Sequence, residues 1–110
     1  MSKYLFIESR DPFESKDTIQ LYGLIKELSH QGHNVALYLV QNGAFSSRKN
    51  AKVQLFPELL KEQNIKVYVD DYSLEERGIS KDEIHQSLVV SNVDQLSDLV
   101  LEEGRKPVWH

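Results

Sequence analysis

An α/β fold of three layers, with helices on both faces of a mostly parallel five-stranded sheet, is predicted by three features of this sequence. Short runs of strand-forming residues alternate with segments of helical periodicity along the whole chain. The opening run, Tyr4 to Ile7, is apolar without interruption, as a strand covered on both faces requires. Glycines 32, 78 and 104 stand where helical segments should stop.

The elements follow in order. Tyr4 to Ile7 gives way to Glu8-Ser9-Arg10-Asp11-Pro12, so a buried first strand ends in a charged loop. From about Lys16 to Gln31, Leu21, Leu24, Ile25 and Leu28 recur at helical spacing, and Gly32 suits a left-handed cap. Asn34 to Val40 is rich in strand formers and stops at Asn42-Gly43, a pair suited to a turn with positive φ. Ser46 and Ser47 are expected to cap a helix beginning near Arg48. Pro57 would break that helix, so the segment to Asn64 reads as kinked or as two pieces, with Pro57 at a helix start.

Ile65 to Val69 is the third strand, followed by a short helical turn around Leu74 to Arg77 that Gly78 ends. Ser80-Lys81-Asp82-Glu83 has capping-box spacing and predicts a brief helix through His85. Leu88 to Val90 is a fourth strand. Val93, Leu96 and Val100 mark a last helix closed by Gly104. Pro107-Val108-Trp109 reads as a fifth strand at an edge, where proline is tolerated. Right-handed crossovers then build a flavodoxin-like domain, whose strand order the sequence constrains weakly.

With 110 residues and 40% hydrophobic content, residues 1–110 are expected to form one domain around one core. Seventeen acidic against 13 basic side chains give a net charge of -4, which argues against nucleic acid as a partner. The absence of cysteine excludes disulfides, thiolate metal sites, thiol catalysis and a persulfide carried on this chain. Tyr4 to Ile7 is too brief for a signal-peptide core or a membrane span, so a cytoplasmic protein without membrane contact is expected.

Gln31-Gly32-His33-Asn34-Val35-Ala36-Leu37-Tyr38-Leu39-Val40-Gln41-Asn42-Gly43-Ala44 resembles the second-strand signature of DsrE/DsrF-like sulfur-relay proteins, and Arg77-Gly78-Ile79 is similar to the ending of their third-strand segment. The similarity spans nearly the whole chain. It implies homo-oligomers, or hetero-oligomers in which a subunit lacking the carrier cysteine sits beside a related subunit possessing it. In sulfur-transferring members that cysteine follows the third strand, and its counterpart here falls at Asp70 or Asp71. A carboxylate cannot hold a persulfide, since a thiolate must attack and retain the sulfane sulfur. The resemblance therefore implies the fold and a binding or assembly role without the family's chemistry.

Asp70 and Asp71 read either as a cap for the following turn or as an acid/base or cation-binding pair at a strand end, the basis of an alternative function as a small-molecule or metal-dependent enzyme. A phosphoryl-accepting receiver-like domain is a further alternative, because Lys106-Pro107 mimics the lysine-proline pair of such domains. Its magnesium site needs paired acids after the first strand, whereas Glu8 and Asp11 are separated. Arg10, Lys16, Arg48, Lys49 and Arg77 lie in segments expected at the carboxyl edge of the sheet and would suit a small anionic ligand. Together with Asn42 and Gly43 of the second-strand turn, Arg10, Arg77, Asp70 and Asp71 form the expected binding set. His30, His33, His85 and His110 lack zinc-site spacing, and no serine lies in a nucleophile elbow, so neither catalytic residues, a resident metal nor a cofactor are expected. Tyr72 and Phe45 fall in loops at the same edge, where they could line a pocket or an interface.

Overall fold

The computed structural model describes residues 2–51, 56–62 and 64–110, with backbone alone at 57 and 58. Five parallel strands, β1 (Lys3–Glu8), β2 (Asn34–Leu39), β3 (Ile65–Asp70), β4 (Val89–Ser91) and β5 (Arg105–Trp109), form one sheet in the order β4-β3-β2-β1-β5. Helices α1 (Lys16–His30), α2 (Phe56–Leu59), α3 (Asp71–Glu76) and α4 (Val93–Leu101) fill the connections, with 3-10 turns at Gln41–Ser47 and Lys81–Glu83.

The strand order explains which face each helix covers. Three successive crossovers move from β1 toward β4, and a right-handed path keeps the intervening helices on one face. There Phe6, Leu37, Val67 and Val69 pack with Leu21, Tyr22 and Ile25 of α1 and Leu74 of α3. The connection from β4 runs back across the sheet to β5 beside β1, which sends α4 to the other face. Leu5, Ile7, Ala36, Tyr38 and Tyr68 meet Leu96 and Leu99 of α4 there. This is the three-layer arrangement expected from the sequence. Chain connections therefore diverge between β3 and β4, and a cleft opens at the carboxyl ends of strands where connections part to opposite faces.

Most local expectations hold. Gly32 and Gly78 take positive φ behind α1 and α3, at +87° and +65°. The capping box of Ser80 and Glu83 is formed, although it opens a single 3-10 turn rather than a helix reaching His85. Pro107 lies in edge strand β5. Pro57 occupies the first turn of α2, while residues 52–55 and 63 of the segment read as a kinked helix lie outside the described residues.

Two expectations fail in the connection after β2. No helix is capped by Ser46 and Ser47, because both hydroxyls turn back inside the 3-10 segment, to the carbonyls of Gly43 and Ala44. The positive φ sits at Gln41, at 50°, rather than in Asn42-Gly43. The chain reverses one residue early because the Gln41 amide is claimed by the Ser73 hydroxyl at 2.9 Å. Gly43 is needed for a different reason, a close approach to the end of β1: a Cβ there would lie 2.4 Å from the Glu8 carbonyl oxygen.

Gly23 offers the opposite case. It lies inside α1, and a Cβ at that position meets nothing within 4 Å. Gly23→Ala is expected to raise stability by about 0.5–1 kcal/mol, because alanine orders less backbone entropy on entering a helix. A urea midpoint that stays put or falls would contradict this.

Candidate functional site

The β3 to α3 junction is built by Asp70. Its backbone is still extended while the next residue begins the helix, and its Oδ2 accepts from the Ser73 amide at 2.9 Å and the Ser73 hydroxyl at 2.8 Å. Since the Ser73 hydroxyl also accepts from the Gln41 amide, one serine ties the end of β3 to the end of β2. Asp71 Oδ1 accepts from the Tyr72 amide at 2.7 Å. Both carboxylates thus serve the first turn of α3, in line with the capping reading, and the second oxygen of each has no partner among the described residues.

Asn42 and Arg77 meet across this junction. The Asn42 Oδ1 accepts from Arg77 Nε at 3.2 Å and Nη2 at 3.1 Å, and Arg77 Nη1 donates to the Ser73 carbonyl at 3.2 Å. The guanidinium groups of Arg48 and Arg77 lie 5.2 and 5.8 Å from the Phe45 ring centre. Phe45 is therefore a stacking platform for cations and packs against the core. Arg10 stands apart, 3.9 Å from Asp17 in an exposed pair. Of the expected binding set, Asp70, Asp71, Asn42 and Arg77 come together, Gly43 is buried under the end of β1, and Arg10 lies elsewhere.

A cleft of about 640 Å³ opens at the divergence between β3 and β4. Its walls include Asp70, Asp71, Tyr72 and Glu76 from β3 and α3, Val93 and Leu96 from α4, and Trp109 from β5. Asn92 completes the rim and caps α4, its side chain accepting from the Gln95 amide at 3.0 Å. An asparagine directly before the apolar stripe of Val93 and Leu96 is a legible helix start, and it is a functional-edge residue the sequence reading passed over. Tyr38 lies beneath, its hydroxyl donating to the Asn92 carbonyl at 2.9 Å. Burial raises the Tyr38 pKa, and the charges of Asp70 and Asp71 raise it further.

A second polar group at the carboxyl edge was not foreseen. Glu8 is fully buried, and His110 Nδ1 lies 2.9 Å from both of its carboxylate oxygens. Toward an ionised carboxylate, which only accepts, Nδ1 is the donor of this pair. Nearby, the Tyr22 hydroxyl lies 3.5 Å from the Ser46 hydroxyl. Burial pushes the Tyr22 pKa far above its ordinary 10.0, and the charges of Glu8 and Asp11 add to the rise against the Ser46 hydrogen bond. Unfolded chains lose this proton near pH 10 whereas the folded chain keeps it, so this contribution to stability is complete below about pH 10 and is lost as pH rises beyond it. In a titration followed by phenolate absorbance, Tyr22 should ionise only together with unfolding, and Tyr38 at higher pH than an exposed tyrosine. Ionisation of every tyrosine while the circular dichroism stays native would contradict the burial.

The receiver-like reading meets a geometric obstacle. Lys106 pairs in register with Tyr4 and stands over its ring, whereas the carboxyl end of β1 is at Glu8. Four strand residues span about 13 Å, which places Lys106 toward the amino edge of the sheet. Glu8 is engaged by His110, and Asp11 Oδ1 accepts from the Phe13 amide. Among the described residues no group of three or more His, Asp or Glu side chains could hold a metal ion, and no helix is long and apolar enough to cross a membrane.

Comparison with known proteins gives one family. The model of the DsrE/DsrF-like family matches residues 2–106. No curated protein sequence matches the chain. Among solved structures, the ychN protein from E. coli superposes with a TM-score of 0.86 at 19% identity, covering 100% of both chains. A protein of unknown function from Methanobacterium thermoautotrophicum, MTH1491, superposes with a TM-score of 0.82 at 14% identity, again over 100% of both chains. At these identities the likeness speaks for the fold.

Proposed function

The chain belongs to the DsrE/DsrF-like family, and from that premise we propose that it is a non-catalytic binding or assembly subunit, working beside a second copy or a related chain that bears the carrier cysteine. The observation that carries this reading is the end of β3. Where the resemblance puts the sulfur-carrying thiol, this chain has Asp70 and Asp71, and the Asp70 carboxylate is spent on holding Ser73 at the start of α3. A side chain with that duty supports the local architecture, and the chain offers no thiol elsewhere.

The surface around the cleft supports assembly. Val100 and Leu101 of α4 and Val108 of β5 are exposed apolar side chains on neighbouring elements, outside the lining of the cleft. Water-facing apolar area of this kind is the common raw material of protein interfaces. The five cations that suggested an anionic ligand do not support one in the cleft, since of these only Arg77 is on its wall and its guanidinium is already engaged.

Two measurements test the proposal together. After incubation with a sulfane-sulfur donor, intact mass spectrometry should show no reductant-labile sulfur on the protein. Sedimentation velocity, alone and with a cysteine-bearing family member, should show association. A labile sulfur adduct, or a strict monomer in both samples, overturns the reading.

Asp70→Ala isolates the local duty of this carboxylate. Loss of the cap should cost about 1 kcal/mol, and Asp70→Asn, which also caps, much less. Equal losses in urea denaturation would show that charge rather than capping holds the junction.

A further inference from the structure

The cleft between the β3 and β4 ends joins aromatic surface to negative charge that has no partner. Tyr72 and Trp109, from α3 and β5, are 63% and 68% exposed and line the same cavity, with Val93 and Leu96 on the α4 side. Two large rings left in water at one cleft are covered at a gain in free energy once an apolar body displaces that water. A volume of about 640 Å³ suits a small molecule.

Charge decides which molecule. Asp70 Oδ1, Asp71 Oδ2 and the Glu76 carboxylate hold no hydrogen bond or ion pair among the described residues. Among the described residues Arg77 is the single cation on the wall, and Asn42 and the Ser73 carbonyl take its guanidinium. An anion would meet repulsion. A neutral apolar ligand would strip water from the carboxylates without replacing it. A cation on an apolar body meets both demands, because aromatic faces attract cations and the carboxylates supply the countercharge.

We infer that this cleft binds a small organic cation, an amine or quaternary ammonium ion carried on an apolar body, with Trp109 and Tyr72 as aromatic walls and Asp70, Asp71 and Glu76 as counterions. The inference goes beyond the subunit reading above, giving the cleft a use of its own and naming the ligand class.

Trp109 is the only tryptophan of the chain, so its fluorescence reports on the site directly. Three probes sharing one ring, benzyltrimethylammonium, benzyl alcohol and benzenesulfonate, are titrated at constant ionic strength. The expected result is a saturable change with the ammonium ion alone or at much the lowest concentration. Binding should weaken about tenfold in the Asp71→Asn/Glu76→Gln variant, which leaves the Asp70 cap intact, and by a similar factor in Tyr72→Ala. Circular dichroism verifies that both variants are folded. Benzyl alcohol or benzenesulfonate binding as tightly as the ammonium ion overturns the cation and leaves the cleft as a site. No saturation with any probe overturns the ligand class and the small-molecule use of the cleft, while the association measured by sedimentation is a separate readout of the subunit reading.

Discussion

Gly43→Ala is expected to cost about 3 kcal/mol of folding stability and to lower the melting temperature by about 15 °C. The added Cβ would fall 2.4 Å from the Glu8 carbonyl oxygen and 3.2 Å from its carbon. Both atoms are main chain, so neither can swing aside, and that carbonyl already accepts from the Val40 amide at 3.0 Å. Relief requires moving the end of β1 or the 3-10 segment, and the latter carries Asn42 toward or away from Arg77. The variant should therefore also perturb the cleft wall. Urea denaturation of the two methyl additions side by side checks the argument. A loss below about 0.5 kcal/mol at position 43, the range of ordinary surface substitutions, would mean that the approach of the two segments is looser than described.

His110→Ala has a comparable expected cost, through charge rather than volume. Glu8 has no exposed surface, and apart from its neighbour amide at Arg10, 3.4 Å away, its carboxylate depends on the His110 imidazole. Removing one partner of a buried pair typically costs about 3–5 kcal/mol. The His110 side chain is 26% exposed, so water can reach part of the vacated space, and about 2–3 kcal/mol is the expected loss. The backbone bonds of His110, to Ile7 and from Ser9, survive the substitution, which confines the effect to the side chain. The Glu8→Leu/His110→Ala double variant should recover a large part of the loss, because it removes the stranded charge as well. A double variant that is as unstable as the sum of the singles would falsify the pairing account.

Local signals in the sequence carried far. All five strands, α1, α3 and α4 were legible from periodicity and breakers, because strand formers, an apolar stripe or a glycine at positive φ act within a few residues of themselves. The 3-10 segment was not legible. Its serines have the composition of a helix cap, yet their hydroxyls find carbonyls inside the turn, and its reversal at Gln41 is set by Ser73, a residue 32 positions away. Asp70 and Asp71 were identifiable as the end of β3, but only the hydrogen bonds to Ser73 and Tyr72 distinguish caps from a pair of convergent acids. Trp109 was expected at a sheet edge. Its place on the cleft wall follows from the return crossover through α4 to β5, which no local pattern encodes.

Sequence alone determined the alternating α/β architecture, the glycine stops behind α1 and α3, and the exclusion of thiol chemistry, since each depends on residue type or on spacing within one element. Tertiary structure alone decided that the strands run 4-3-2-1-5, that the connections part between β3 and β4 to open a cleft, and that Glu8 meets a histidine 102 positions away. These outcomes arise from the handedness of crossovers and the joint packing of distant elements. Their energies exist only once the sheet is assembled.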